Sequence, residues 1–146
     1  MKRFHFPLER VLRWRTLEFS VEEAKLKRLG QEQIRLQMQV AALSAERSRL
    51  AQTLGTLADP RGEDLCAMVA HGHGLRKQAE KLTGLKTRCE RELVSQKRKY
   101  NAAKQRLRLL EQLRDRKLEE WRYQETLELE TLAAESYLSN WNREHS

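Results

Sequence analysis

From residue 8 to residue 57, seam positions recur at alternating intervals of three and four residues for seven heptads without a slip. One line takes Leu12, Phe19, Leu26, Gln33, Val40, Arg47 and Leu54. The other takes Leu8, Arg15, Glu22, Leu29, Leu36, Leu43, Leu50 and Leu57. Most of these side chains are apolar. A strict seven-residue repeat places them along one stripe of a helix and implies left-handed supercoiling around a partner helix. Arg15, Glu22, Gln33 and Arg47 are the polar exceptions. Such residues cost stability but help to fix register. The pattern predicts a first helix from about Pro7 to Ala58. Proline fits the first turn, where its missing N–H has no partner to lose.

The helical signal breaks at Ala58-Asp59-Pro60-Arg61-Gly62, because Pro60 pushes Asp59 out of helical geometry. Asp64 could cap a short helix from Leu65 to about His71. Gly72-His73-Gly74 is a second break, so residues 59–74 are expected to form a compound tip. A second helix is predicted from about Leu75 to Trp141. Its seam reads Leu75, Ala79, Leu82, Lys86, Cys89, Leu93, Gln96, Tyr100, Ala103, Leu107 and Leu110. The stripe then broadens through Leu113, Leu118, Trp121, Leu127, Leu132, Leu138 and Trp141. The expected fold is all-α, a long two-helix antiparallel coiled-coil hairpin forming a single domain over residues 1–146. The last four or five turns of the second helix overhang the N-terminus. An open chain dimerising in parallel would have no use for Pro60 and the glycines behind it.

The composition supports helices over a mixed globule. Charged residues make up 34% and hydrophobic ones 39%, with only 6 Gly and 2 Pro among 146 residues. Ala, Leu, Glu, Lys, Arg and Gln dominate, and these are strong helix formers. Alternating Val, Ile and Thr runs that mark strands are absent. The net charge of +8 is unevenly placed. Residues 76–117 hold 15 Lys/Arg against 5 Asp/Glu, whereas residues 118–146 hold 2 against 7. A basic surface attracts nucleic acid, anionic lipid or an acidic protein, and charge alone does not choose among them. Cys66 and Cys89 form no CxxC pair and no disulfide framework. Residues 1–15 lack the apolar stretch of a secretory signal, and no run reaches the ~18 apolar residues of a membrane span. The sequence therefore predicts a soluble, cytoplasmic protein.

Nothing in the sequence points to catalysis. No Gly-rich phosphate loop, HExxH or GxSxG is present. Glu22/Glu23 and Glu119/Glu120 are paired carboxylates on helices without a concave site to perturb their titration. Cys66, His71 and His73 match no standard metal-ligand spacing and lack a fourth ligand, so they read as a solvated polar tip. No catalytic, cofactor or metal residue is expected. The basic residues Lys97-Arg98-Lys99, Arg106, Arg108, Arg114, Arg116 and Lys117 flank the seam along one helix. A zipper-type DNA binder instead carries its basic block beyond the zipper, so a solvated face is the simpler reading. Aromatic residues gather at the chain ends, with Phe4, Phe6 and Trp14 at one and Trp121, Tyr123, Tyr137 and Trp141 at the other. Some rings staple the hairpin, and the rest suggest a docking surface.

The segment Phe4-His5-Phe6-Pro7-Leu8-Glu9-Arg10-Val11-Leu12-Arg13-Trp14-Arg15 resembles the N-terminus of FliJ family proteins, which commonly read aromatic, Pro-Leu, two residues, Val-Leu and a basic run. The segment Leu110-Glu111-Gln112-Leu113-Arg114-Asp115-Arg116-Lys117-Leu118-Glu119-Glu120-Trp121 is similar to the family's Glu-x-Leu, basic pair, Glu, aromatic pattern. The chain departs from the family after Glu128, where Glu128-Leu129-Glu130 leads into Thr131-Leu132-Ala133-Ala134-Glu135 in place of an acidic pair.

The resemblance implies a non-catalytic, stalk-like component of the bacterial flagellar type III protein export apparatus. Its implied partners are the hexameric flagellar export ATPase, the cytoplasmic domain of the export gate protein FlhA, and export chaperones. It implies neither a cofactor nor a small-molecule substrate, and a place in the cytoplasm peripheral to the inner membrane. The end bearing both termini would enter the ATPase ring, through Phe4, Phe6, Arg10, Arg13, Trp14, Trp121, Tyr137 and Trp141. Residues just after the hairpin turn would meet the gate, with Leu65, Met68, Val69 and Leu75 as candidates. The alternatives are an injectisome stalk of the same shape and a basic coiled coil that binds nucleic acid.

Overall fold

Proline at position 7 cannot donate a backbone hydrogen bond, so the chain turns once before the first helix begins. The Glu9 N–H donates to the Phe6 carbonyl at 3.2 Å, and the Leu12 N–H to the Leu8 carbonyl at 2.9 Å. The computed structural model describes residues 2–56 and 62–146. Helix α1 spans Glu9–Thr56, 48 residues, and helix α2 spans Gly62–His145, 84 residues. Among the described residues there is no strand. The two long helices pack against each other as an all-α helical hairpin. The predicted break at Ala58, Asp59, Pro60 and Arg61, and the seam position Leu57, lie outside the described residues.

The predicted tip is corrected over residues 62–74, which form the first turns of α2. Neither Gly72 nor Gly74 adopts a positive φ. A glycine inside a helix costs about 1 kcal/mol relative to alanine, too little to break one that gains from packing. The seam supplies that packing. Leu65, Met68, Gly72 and Leu75 continue the three-four spacing backward from the predicted second helix. Gly72 is half-buried, and a Cβ placed on it would lie 3.5 Å from Leu50 Cδ2. His71 Nε2 lies 3.5 Å from Glu46 Oε1. Asp64 sits with Glu63 inside the first turn of α2, where carboxylates favour the positive end of the helix dipole. At its far end α2 continues past Trp141 to His145.

The chain divides into two compact units. One comprises Met1–Ser20 and Ala102–Ser146, and the other Val21–Asn101. Each contains a segment of both helices.

In the terminal unit, Phe6, Leu12 and Leu107 form a buried cluster, with Phe4, Phe19, Leu110 and Leu113 packed around it. Ala103 is 1% exposed, so nothing larger would fit there without displacement. Two ion-pair sets run along the edges of this packing. Glu18 accepts from Arg15 at 2.8 Å and from Arg106 at 3.2 Å, and Glu9 lies 3.6 Å from Arg114. These contacts fix the helices as antiparallel within the unit.

In the other unit, Leu36, Cys89 and Leu93 are buried against Leu26, Leu29 and Leu82. Leu43 and Leu75 are buried as well. Two polar seam positions meet here. Gln96 is buried, and its amide donates to the Glu22 carbonyl at 3.1 Å and to the Glu22 carboxylate. The Cys89 thiol lies 3.7 Å from the Leu29 carbonyl. Burial pushes that thiol's pKa up, and Glu32, Glu92 and Glu90 push it further in the same direction. Arg47, placed on the seam by periodicity, is exposed instead, and Leu54 is 39% exposed. The permanent charge at the end of its long stem makes arginine a poor core residue unless paired.

Candidate functional site

An N-terminal segment that must leave the helix at Pro7 has to pack against whatever lies beside it. Phe4 and Phe6 do this, since both precede the helix and carry large apolar rings. Phe6 is 4% exposed within the cluster with Leu12 and Leu107. It closes the hairpin and presents little surface for a partner. Phe4 is half-buried, its ring centroid 6.0 Å from that of Trp121 with the planes tilted by 59°. Phe4 and Trp121 thus staple the N-terminal segment to α2, while part of each ring still faces solvent.

Arg10 and Arg13 are exposed and line a groove with Phe4, His5, Phe6, Glu9 and Arg114. A second hollow of about 610 Å³ is lined by Lys2, Arg3, His5, Trp121, Gln124, Glu125 and Glu128. Basic side chains from the N-terminal segment therefore face acidic ones from α2 across it. Trp14 is 56% exposed and carries the Arg15 guanidinium 4.4 Å from its ring centre. That cation–π contact stabilises an arginine on an aromatic surface. It also leaves Arg15 beside Glu18, and the Arg15 hydrogen bond, assisted by Arg106, holds the Glu18 carboxyl below the ordinary carboxylate range.

Beyond Glu125, every residue of α2 is exposed. This is the predicted overhang. Tyr137 is 70% exposed and Trp141 48%. The Trp141 ring stacks on His145 with centroids 4.3 Å apart, and His145 Nδ1 lies 2.9 Å from the Trp141 carbonyl. Leu127, Leu129, Leu132 and Leu138 are exposed on the same segment. A helix that shows this much apolar surface has a free face suited to a partner.

The second set of candidates lies at the start of α2. Leu65 and Val69 are exposed and, with Cys66, Ala70 and His73, line a shallow apolar hollow of about 320 Å³. Met68 is half-buried on the seam. Leu75 is 4% exposed and belongs to the intrachain core, so it presents little surface to a partner. Leu65, Val69 and His73 share one helix face at four-residue intervals, so the structure brings two of the four candidates onto an accessible surface.

Val11, Leu17 and Leu109 were not among the docking candidates, yet all three are exposed. Among the described residues, no group of three or more His, Cys, Asp or Glu side chains is set to hold a metal ion. Among the same residues no helix is long and apolar enough to cross a membrane. Comparison with protein-family models, with characterised proteins and with solved structures finds no match.

Proposed function

We propose that this chain is a non-catalytic, stalk-like component of the bacterial flagellar type III protein export apparatus. Its terminal unit engages the ring of the hexameric export ATPase, and the start of α2 engages the cytoplasmic domain of the export gate. In this role it assists delivery of chaperones and their cargo at the inner membrane. The observation that carries the reading is the bare C-terminal stretch of α2. A 20-residue stretch of helix whose every residue is exposed, and which displays Tyr137, Leu138 and Trp141, offers an apolar face to a partner outside the hairpin. Aromatic side chains supply large contact area at low entropy cost, and the flanking Arg and Glu sets orient the approach. The resemblance of residues 4–15 to the FliJ family names the partner.

The experiment removes the overhang alone. A chain truncated after Leu127 retains Phe4, Phe6, Trp121 and every buried residue. It should keep its helicity by circular dichroism, residue for residue, and lose stimulation of a flagellar export ATPase. Undiminished stimulation would remove the overhang from the stalk contact and with it the function assigned to this end.

A further inference from the structure

The outer face of α2 in the terminal unit carries a pattern that the hairpin does not use. Leu109, Arg116, Tyr123, Glu130 and Tyr137 follow one another at intervals of seven residues. An ideal helix drifts about 20° per heptad, so Arg116 and Glu130 lie within about 20° of Tyr123, and Leu109 and Tyr137 within about 40°, on one gently winding stripe. Tyr123 is two residues past Trp121, which places it about 200° around the helix from that half-buried ring. All five side chains are exposed, with Leu109 at 66%, Tyr123 at 67% and Tyr137 at 70%. Among the described residues, neither Arg116 nor Glu130 has an ion-pair partner, although each is a full charge beside exposed apolar groups.

The line is self-complementary. Outward from Tyr123, an arginine at seven residues is answered by a glutamate at seven, and a leucine at fourteen by a tyrosine at fourteen. A two-fold axis through Tyr123, perpendicular to α2, lays this order onto an antiparallel copy of itself. Arg116 then meets Glu130 of the second copy, Leu109 meets its Tyr137, and Tyr123 meets its own counterpart. In parallel register, Arg116 would face Arg116 and Glu130 would face Glu130. The longer-range charge follows the same rule. Residues 102–117 hold 6 Lys/Arg against 2 Asp/Glu, and residues 118–146 hold 2 against 7. Antiparallel overlap lays the acidic half of one helix on the basic half of the other. A two-fold interface repeats each such contact, so every favourable pair counts twice.

We infer that the outer face of α2, centred on Tyr123, is a self-association surface on which a second copy of this chain packs antiparallel, joined by two Arg116–Glu130 pairs. The surface is distinct from the seam and leaves the hairpin of each copy intact. It does not depend on the stalk reading, and because Tyr137 belongs to both surfaces, the self-associated and ring-bound states exclude each other at that residue.

The test is sedimentation equilibrium of the full-length chain and of three variants at low and high salt. The wild type should be a reversible dimer that weakens as salt screens the Arg116–Glu130 pairs. Arg116→Glu and Glu130→Arg should each weaken it at least about tenfold, because each turns two attractive pairs into two repulsive ones. The double variant R116E/E130R should dimerise like the wild type. A purely structural effect of either substitution would not be reversed by the other, since the two residues lie fourteen positions apart on one helix. In a Cys66→Ser background, Tyr123→Cys should form a disulfide-linked dimer under mild oxidation, as a residue on the axis meets itself. A wild type that stays monomeric overturns the inference. So does a dimer indifferent to both single reversals, or a double variant no better than the singles.

Discussion

At the level of single side chains, the seam is held by a few residues with little exposed surface. Leu36 is 3% exposed and touches the cluster of Cys89 and Leu93. Truncating it to alanine removes buried methyl groups and leaves a void, so Leu36→Ala should cost ~2–4 kcal/mol in chemical denaturation. A cost near zero would mean that the seam closes around the gap or is not where the structure puts it. Glu18 makes a prediction of a different kind. Its carboxyl is held below the ordinary range chiefly by the Arg15 hydrogen bond, with Arg106 adding to it. The folded chain therefore favours the ionised form. The stabilisation is present above the unfolded carboxylate pKa and is lost as pH falls through the lower folded value. Acidification should thus release the Arg15–Glu18–Arg106 set, and Glu18→Gln should flatten the acid side of the melting-temperature profile. An identical profile for the variant would show that solvent screens these exposed charges completely.

At the level of elements, periodicity was the legible part and punctuation the misleading one. Every position from Leu12 to Leu43 on the predicted seam of α1 is buried or half-buried, and so is every position from Leu75 to Leu110 on α2. A three-four repeat determines a helix face directly, whatever the partner. The polar seam residues Glu22 and Gln96 turn out to meet each other, which neither position announces alone. Gly72-His73-Gly74 read as a break because isolated glycine weakens a helix. The packed positions around it, Met68, Gly72 and Leu75, outweigh that penalty. The consequence is testable. A Cβ at Gly74 meets nothing within 4 Å, and at Gly72 only an ordinary contact with Leu50. Gly74→Ala should therefore stabilise the chain by about 1 kcal/mol, with Gly72→Ala close behind. In a turn that needed glycine the same changes would destabilise, so a lowered melting temperature would restore the tip. Of the candidate site, the overhang was legible because its helical signal outlasts that of α1. The burial of Phe6 and Leu75 was not, since a ring before a helix or a leucine after a glycine can face either way.

At the level of the whole molecule, the charge balance decides between the proposed export role and its rival. The chain carries +8, with its basic residues concentrated between positions 76 and 117. Lys97, Arg98 and Lys99 are exposed, as are Arg108, Arg116 and Lys117. Any such surface will attract a polyanion in dilute buffer, so binding to DNA or RNA at low salt is expected and says little about function. What discriminates is how binding responds to salt. Contacts that only release counterions lose affinity as a steep power of the salt concentration and do not distinguish one sequence from another. Base-reading contacts leave a residue of affinity and a preference that survive. No described element of this chain carries its basic residues on a fork beyond the paired helices, the geometry with which zipper proteins enter the major groove. A gel shift across a salt series should therefore show weak binding without sequence preference, gone by physiological ionic strength. In the same buffer, association with an export ATPase through the apolar overhang should persist, because burial of Tyr137, Leu138 and Trp141 is not screened by salt. Tight nucleic-acid binding that outlasts the salt series, beside an ATPase interaction that does not, would reverse the order of the two readings.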